Sequence, residues 1–105
     1  MNKHLWVPLK SEYFLAFERG TKSIEYRLYG AQWNERTCWV GRDAILGHGY
    51  SGRRLRAIVT AFETRTMDSE IYGPARVLAL IHLQVLGPLE ADESASPKTG
   101  NLFPT

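Results

Sequence analysis

Apolar and polar positions change their spacing several times along this chain, and each change predicts an element. Residues 4–9 (HLWVPL) form a short apolar run that reads as a strand ending near Pro8. Proline has no N–H to give a ladder, so it suits a strand end or an edge. From Lys10 the period lengthens. Tyr13, Phe14 and Phe17 lie at helical spacing and make one aromatic face. Ser11 as N-cap, Glu12 in the first turn, Arg19 in the last and Gly20 just beyond frame a helix over 11–19.

After Gly20 the period drops to two. Ile24, Tyr26 and Leu28 alternate with Ser23, Glu25 and Arg27. That predicts a half-buried strand with its apolar side inward and its charged side outward. Residues 30–37 are polar and irregular, and CWVG (38–41) is a short strand candidate. Gly47, Gly49 and Gly52 predict a sharp turn. Leu55 to Glu63 alternates weakly as a strand, and Met67 to Pro74 reads as a loop. Arg76 to Leu86 is apolar on both faces, which predicts a central strand covered on both sides. From Gly87 the composition shifts to Pro, Ser, Glu, Asp and Thr, the signature of a flexible tail. One early helix and five or six strands point to a small α+β domain over 1–86. Its mostly antiparallel sheet curls into a barrel, followed by an acidic tail over 87–105.

Composition narrows the functional classes. The chain has 105 residues, 44% of them hydrophobic, enough for one packed core. The longest apolar run, Val77 to Ile81, is far short of the ~20 residues of a membrane span. The lone Cys38 excludes an internal disulfide and a cysteine zinc site, and reads as a small buried hydrophobe. The default location is the reducing cytoplasm. Net charge is +2, but residues 1–86 are basic and 87–105 acidic. A moderately basic domain is compatible with a nucleic-acid or nucleotide partner without requiring one. His4, His48 and His82 lack metal-ligand spacing, so no metal and no cofactor is expected. The sequence leaves the oligomeric state open.

Two constellations carry candidate chemistry. In Gly20-Thr21-Lys22-Ser23-Ile24-Glu25-Tyr26-Arg27, the i and i+2 positions put Glu25 and Arg27 on one strand face. If that face lines a cleft, Lys22 and Arg27 hold an anion or a carbonyl oxygen, and Glu25 orients Arg27 or accepts a proton. If not, the pair is an ordinary solvated strand face. Lys22 has the parity of Ile24, so either the strand starts after it or a bulge turns it. In Gly47-His48-Gly49-Tyr50-Ser51-Gly52-Arg53-Arg54, the glycines let backbone approach a ligand, Tyr50 can stack on a base, and Arg53 and Arg54 can meet phosphates. A plain tight turn is the competing reading. Trp33, in the polar loop, is the tryptophan best placed for exposure. Glu63 could add a carboxylate to the cleft.

The run from Lys10 to Arg27, an aromatic helix closed by G-x-K-x-x-E-x-R, resembles the ASCH domain family. So does V-G-R-D-A-I-L-G-H-G-Y (40–50), which looks like that family's strand leading into a Gly-Tyr turn. The resemblance covers most of residues 4–86 and leaves the tail without a counterpart. It implies a PUA-like β-barrel with the helix beside a cleft, and binding of RNA or action on nucleotides there. Some small members are amidohydrolases that deacylate acetylated cytidine, and another branch is linked to ribonuclease activity. Lys22 matches the family lysine and Arg27 the closing arginine. Glu25 stands where those amidohydrolases have a catalytic threonine, so their covalent scheme does not transfer.

The expected function is binding of RNA or a nucleotide-like ligand in a basic cleft. The helix, the Lys22–Arg27 strand and the Gly47–Arg54 turn would form that cleft. The alternative is a small hydrolase of a modified nucleoside, with Lys22 stabilising an oxyanion and Glu25 as general base. An enclosed pocket with Lys22 and Glu25 together favours the second, and an open basic groove the first. A third possibility is a regulatory module whose acidic tail masks the basic surface.

Overall fold

The computed structural model describes residues 3–49 and 52–89. They form strand β1 (Leu5–Leu9), helix α1 (Ser11–Arg19), β2 (Ile24–Leu28), β3 (Asp43–His48), β4 (Arg54–Ser69) and β5 (Gly73–Pro88). The five strands make one mixed sheet in the order β1-β3-β4-β5-β2. β1 runs parallel to β3, and the other three pairings are antiparallel. The fold is therefore α+β with one helix and a mostly antiparallel sheet, as the pattern predicts.

The sheet is not closed into a barrel. β1 and β2 are its two edges, and no backbone ladder joins them. A side chain spans the gap instead. Arg27 on β2 donates from Nη2 to the carbonyl of Pro8 on β1 at 2.7 Å. Pro8 sits on an edge strand, where a missing N–H costs no ladder bond.

The main core lies on one side of the sheet, and on the other face of β5 Leu78 and Leu80 are buried as well, so this stretch of β5 is covered on both sides as its apolar pattern predicts. Leu5, Val7 and Leu9 of β1, Ala44 and Leu46 of β3, Leu55, Ala57 and Val59 of β4, and Ala79, Ile81 and Leu83 of β5 point into the main core. Phe14 and Phe17 of α1 and Trp33 and Cys38 of the loop close it from above. Each fully buried Phe contributes roughly 1.5–3 kcal/mol of transfer free energy. α1 ends as expected, with Gly20 at φ 83° in the left-handed region. Its start differs. Lys10 is the N-cap, in extended conformation and without a side-chain cap. The Lys10 carbonyl already accepts from the N–H groups of Tyr13 and Phe14 at 3.0 and 2.9 Å. Ser11 is the first helical residue, and its hydroxyl shares a 2.8 Å hydrogen bond with His48 Nε2.

Four other expectations are corrected. Residues 38–41 are turn, not strand, and Gly41 has φ 96°. Trp33 is buried, 7% exposed, under the Arg27 guanidinium at 4.7 Å from its ring centre. The expected loop 67–74 is instead the end of a long hairpin: β4 continues to Ser69 and β5 starts at Gly73. β5 also runs on to Pro88, two residues past the expected end of the strand at Leu86. The polar loop before β3 is organised by buried Asn34. Its amide donates to the carbonyls of Gly30 and Ala31, and its Oδ1 accepts from the N–H groups of Arg36 and Thr37. All of its polar capacity is used, which makes its burial affordable.

Candidate functional site

β2 is rotated relative to its predicted orientation. Glu25 is buried at 6% exposure, while Tyr26, expected inside, is 39% exposed. A buried carboxylate needs partners, and the neighbouring cations supply them. Arg27 Nε donates to Glu25 Oε2 at 2.8 Å, and Lys22 Nζ lies 3.6 Å from Oε1. An edge strand that turns charge inward is also a poor template for pairing with another chain.

Lys22 precedes β2, which resolves its parity. Its ammonium donates to the Ile24 carbonyl at 2.7 Å. The rings of Tyr13, Phe17 and Tyr26 surround it, with centres 5.2, 5.5 and 5.5 Å away. Arg27 is committed to Glu25, to the Pro8 carbonyl and to the Trp33 face. Its principal role here is to hold Glu25 and join the sheet edges.

These residues line a cleft with two lobes. The larger, about 360 Å³, is bounded by Tyr13, Lys22, Glu25, Tyr26 and the hairpin tip from Met67 to Ile71. The smaller, about 200 Å³, adds Pro8, Leu9, Lys10, Arg27 and Tyr72. Tyr13, Glu25, Tyr26 and Ile71 belong to both. The tip is shaped by its own polar groups. Asp68 Oδ1 accepts from the Ala75 N–H at 3.0 Å, and Ser69 Oγ from those of Ile71 and Tyr72 at 3.1 Å. Ala75 has φ 53°, unusual for a residue with a Cβ, and that N–H bond secures it.

The structure thus gathers Lys22, Glu25 and Arg27 but not the glycine turn. Arg53 pairs with Glu18 on α1 and lies over Phe14, 5.1 Å from the ring centre. Arg54 lies over Trp6 at 5.0 Å. Neither lines the cleft. Tyr50 is outside the described residues. Glu63 does not join the cleft either; it pairs with His82 at 2.7 Å and Arg65 at 3.0 Å. Those partners hold the Glu63 carboxyl below its usual range, the His82 hydrogen bond most of all. Burial pushes the Cys38 thiol up, which fits a packed apolar residue.

The pattern did not reveal the roles of Tyr13, Tyr26 and the hairpin tip. The available signal was the tyrosine itself, a ring with a polar end that suits a cleft wall better than a dry core. Among the described residues no group of three or more His, Cys, Asp or Glu is placed to hold a metal, and no helix is long and apolar enough to cross a membrane. Comparison of the chain with protein families, with curated proteins and with solved structures gives no match.

Proposed function

We propose that the protein binds a small, planar, carbonyl-bearing ligand of nucleoside type in the two-lobed cleft. The observation that carries the reading is the convergence of Lys22, Glu25, Tyr13 and Tyr26 on one concavity of about 360 Å³. That volume is in the range of small-molecule sites. Two tyrosine rings offer stacking surface, and a charged donor and acceptor 3.6 Å apart suit a carbonyl beside an N–H. An RNA would enter by one unstacked base. The basic groove expected from the Gly47–Arg54 turn is not part of this cleft, which weighs toward the free nucleoside. The reading assigns the chain to the ASCH family. In a PUA-like arrangement β1 and β2 are the facing edges of an incomplete barrel. It places the protein in the cytoplasm, where such ligands occur.

Titration with cytidine, N4-acetylcytidine and a short single-stranded RNA tests the proposal. Binding of a nucleoside is expected. Lys22→Met removes one charge-assisted hydrogen bond, worth ~1.5–3 kcal/mol, and so weakens binding about tenfold or more. Tyr26→Ala weakens it as well. Absence of nucleoside binding, or affinity unchanged in both variants, overturns the proposal.

The side-by-side placement of Lys22 and Glu25 favours a second reading, hydrolysis of an amide on the ligand. Glu25 would take a proton from water as its oxygen adds to the carbonyl carbon. Lys22 would donate to the resulting oxyanion, and the amine would leave with a proton as the C–N bond breaks. Glu25→Gln then abolishes release of acetate from N4-acetylcytidine while changing nucleoside affinity only modestly. No acetate release by the unaltered protein refutes this second reading alone.

A further inference from the structure

The sheet face away from the core carries an uncovered patch. Trp6 stands opposite Ile45, and Ile45 opposite Arg56. In the next row Pro8 faces Gly47, and Gly47 faces Arg54. The Trp6 indole lies across Gly47, where an added Cβ would sit 2.2 Å from Cη2. It is nevertheless 44% exposed, and its other neighbour is the Arg54 guanidinium at 5.0 Å. Arg54 and Arg56 are exposed, and neither is among the ion pairs of the described residues. Asp43 is the nearest carboxylate along β3, one row further on, opposite Ile58. A flat aromatic surface beside two arginines that make no ion pair among the described residues is a docking face for an acidic segment.

Such a segment is attached beside it. The Leu89 N–H donates to the Arg54 carbonyl at 2.9 Å. Glu90, Asp92 and Glu93 follow immediately in the sequence. At no more than ~3.6 Å per residue, Glu93 stays within ~15 Å of Leu89 in any conformation. Arg56 is two positions from Arg54, roughly 7 Å along the strand. Tethering therefore holds three carboxylates near two arginines at a high effective concentration.

We propose that residues 90–93 dock intramolecularly on this face, pairing with Arg54 and Arg56 and covering Trp6. This device is independent of the cleft. In the full chain, the Trp6 indole N–H resonance (assigned with Trp6→Phe) is compared with that of the triple variant Glu90→Gln, Asp92→Asn, Glu93→Gln. The expected result is a shift of the Trp6 resonance, with that of Trp39 unchanged. The same shift should appear at high salt and with Arg54→Gln plus Arg56→Gln in the otherwise unaltered chain. A Trp6 resonance identical in the unaltered chain and the triple variant overturns the proposal. A shift that grows with protein concentration also overturns it, in favour of contact between two copies.

Discussion

Glu63 shows how a single exposed carboxylate ties stability to pH. The His82 hydrogen bond and Arg65 favour its ionised form in the folded chain, so its folded pKa is depressed. Stabilisation from a depressed carboxyl is complete above the ordinary range and is lost as pH falls through the folded value. Denaturant unfolding of the unaltered chain and of Glu63→Gln should therefore differ at pH above the ordinary carboxylate range. The gap should close below about pH 4. A gap that stays constant or widens in acid would contradict this account. At the same scale the sequence was uneven as a guide. Gly20 was legible because a left-handed residue after a helix is a local requirement. Cys38 was legible as buried because no partner cysteine exists. Glu25 was not. Alternation tells which residues share a face, but the buried face is decided by the cations that fold over it.

Between elements, the most consequential contact is Arg27, whose guanidinium joins β2 to β1 and satisfies Glu25. Arg27→Met keeps much of the side chain's bulk but leaves a buried carboxylate with Lys22 as its remaining ion-pair partner at 3.6 Å. Removing one partner of a buried pair costs about 3–5 kcal/mol. Lys22 offsets part of this, so an unfolding free energy lower by roughly 2–4 kcal/mol is expected from denaturant titration. A loss below about 1 kcal/mol would mean that the contact is solvated and adds little. Helix α1 was readable because its signals are adjacent in sequence. The hairpin was not. The polar run Asp68-Ser69-Glu70 with Pro74 looks like a loop, yet only Glu70 to Tyr72 leave the strands. Strand pairing of a polar stretch depends on its partner, and one sequence window does not contain the partner. For the same reason the cleft's far wall was missed while Lys22, Glu25 and Arg27 were found.

Across the whole molecule, the α+β class followed from the succession of periods, whereas the topology did not. The parallel β1–β3 pair and the open edges arise from contacts between distant segments. The long β4–β5 hairpin has a further consequence for assembly. Its strands are joined by only three residues, so its ladder closes at low entropic cost. β1 can join β3 only after the helix, β2 and the intervening loop have been placed. The hairpin's central register, Val59 against Leu83 and Phe62 against Ile81, is therefore expected to form early, and β1 to dock last. Amide exchange under native conditions should report the reverse order of release, with Leu5 and Val7 exchanging through smaller openings than Val59 and Ile81. Equal protection across these four amides would indicate that the sheet opens as one unit. A staged release would mean that the strand bearing Trp6 and Pro8 can lift away while the hairpin stays intact, making the amino-terminal arm the hinge of the molecule.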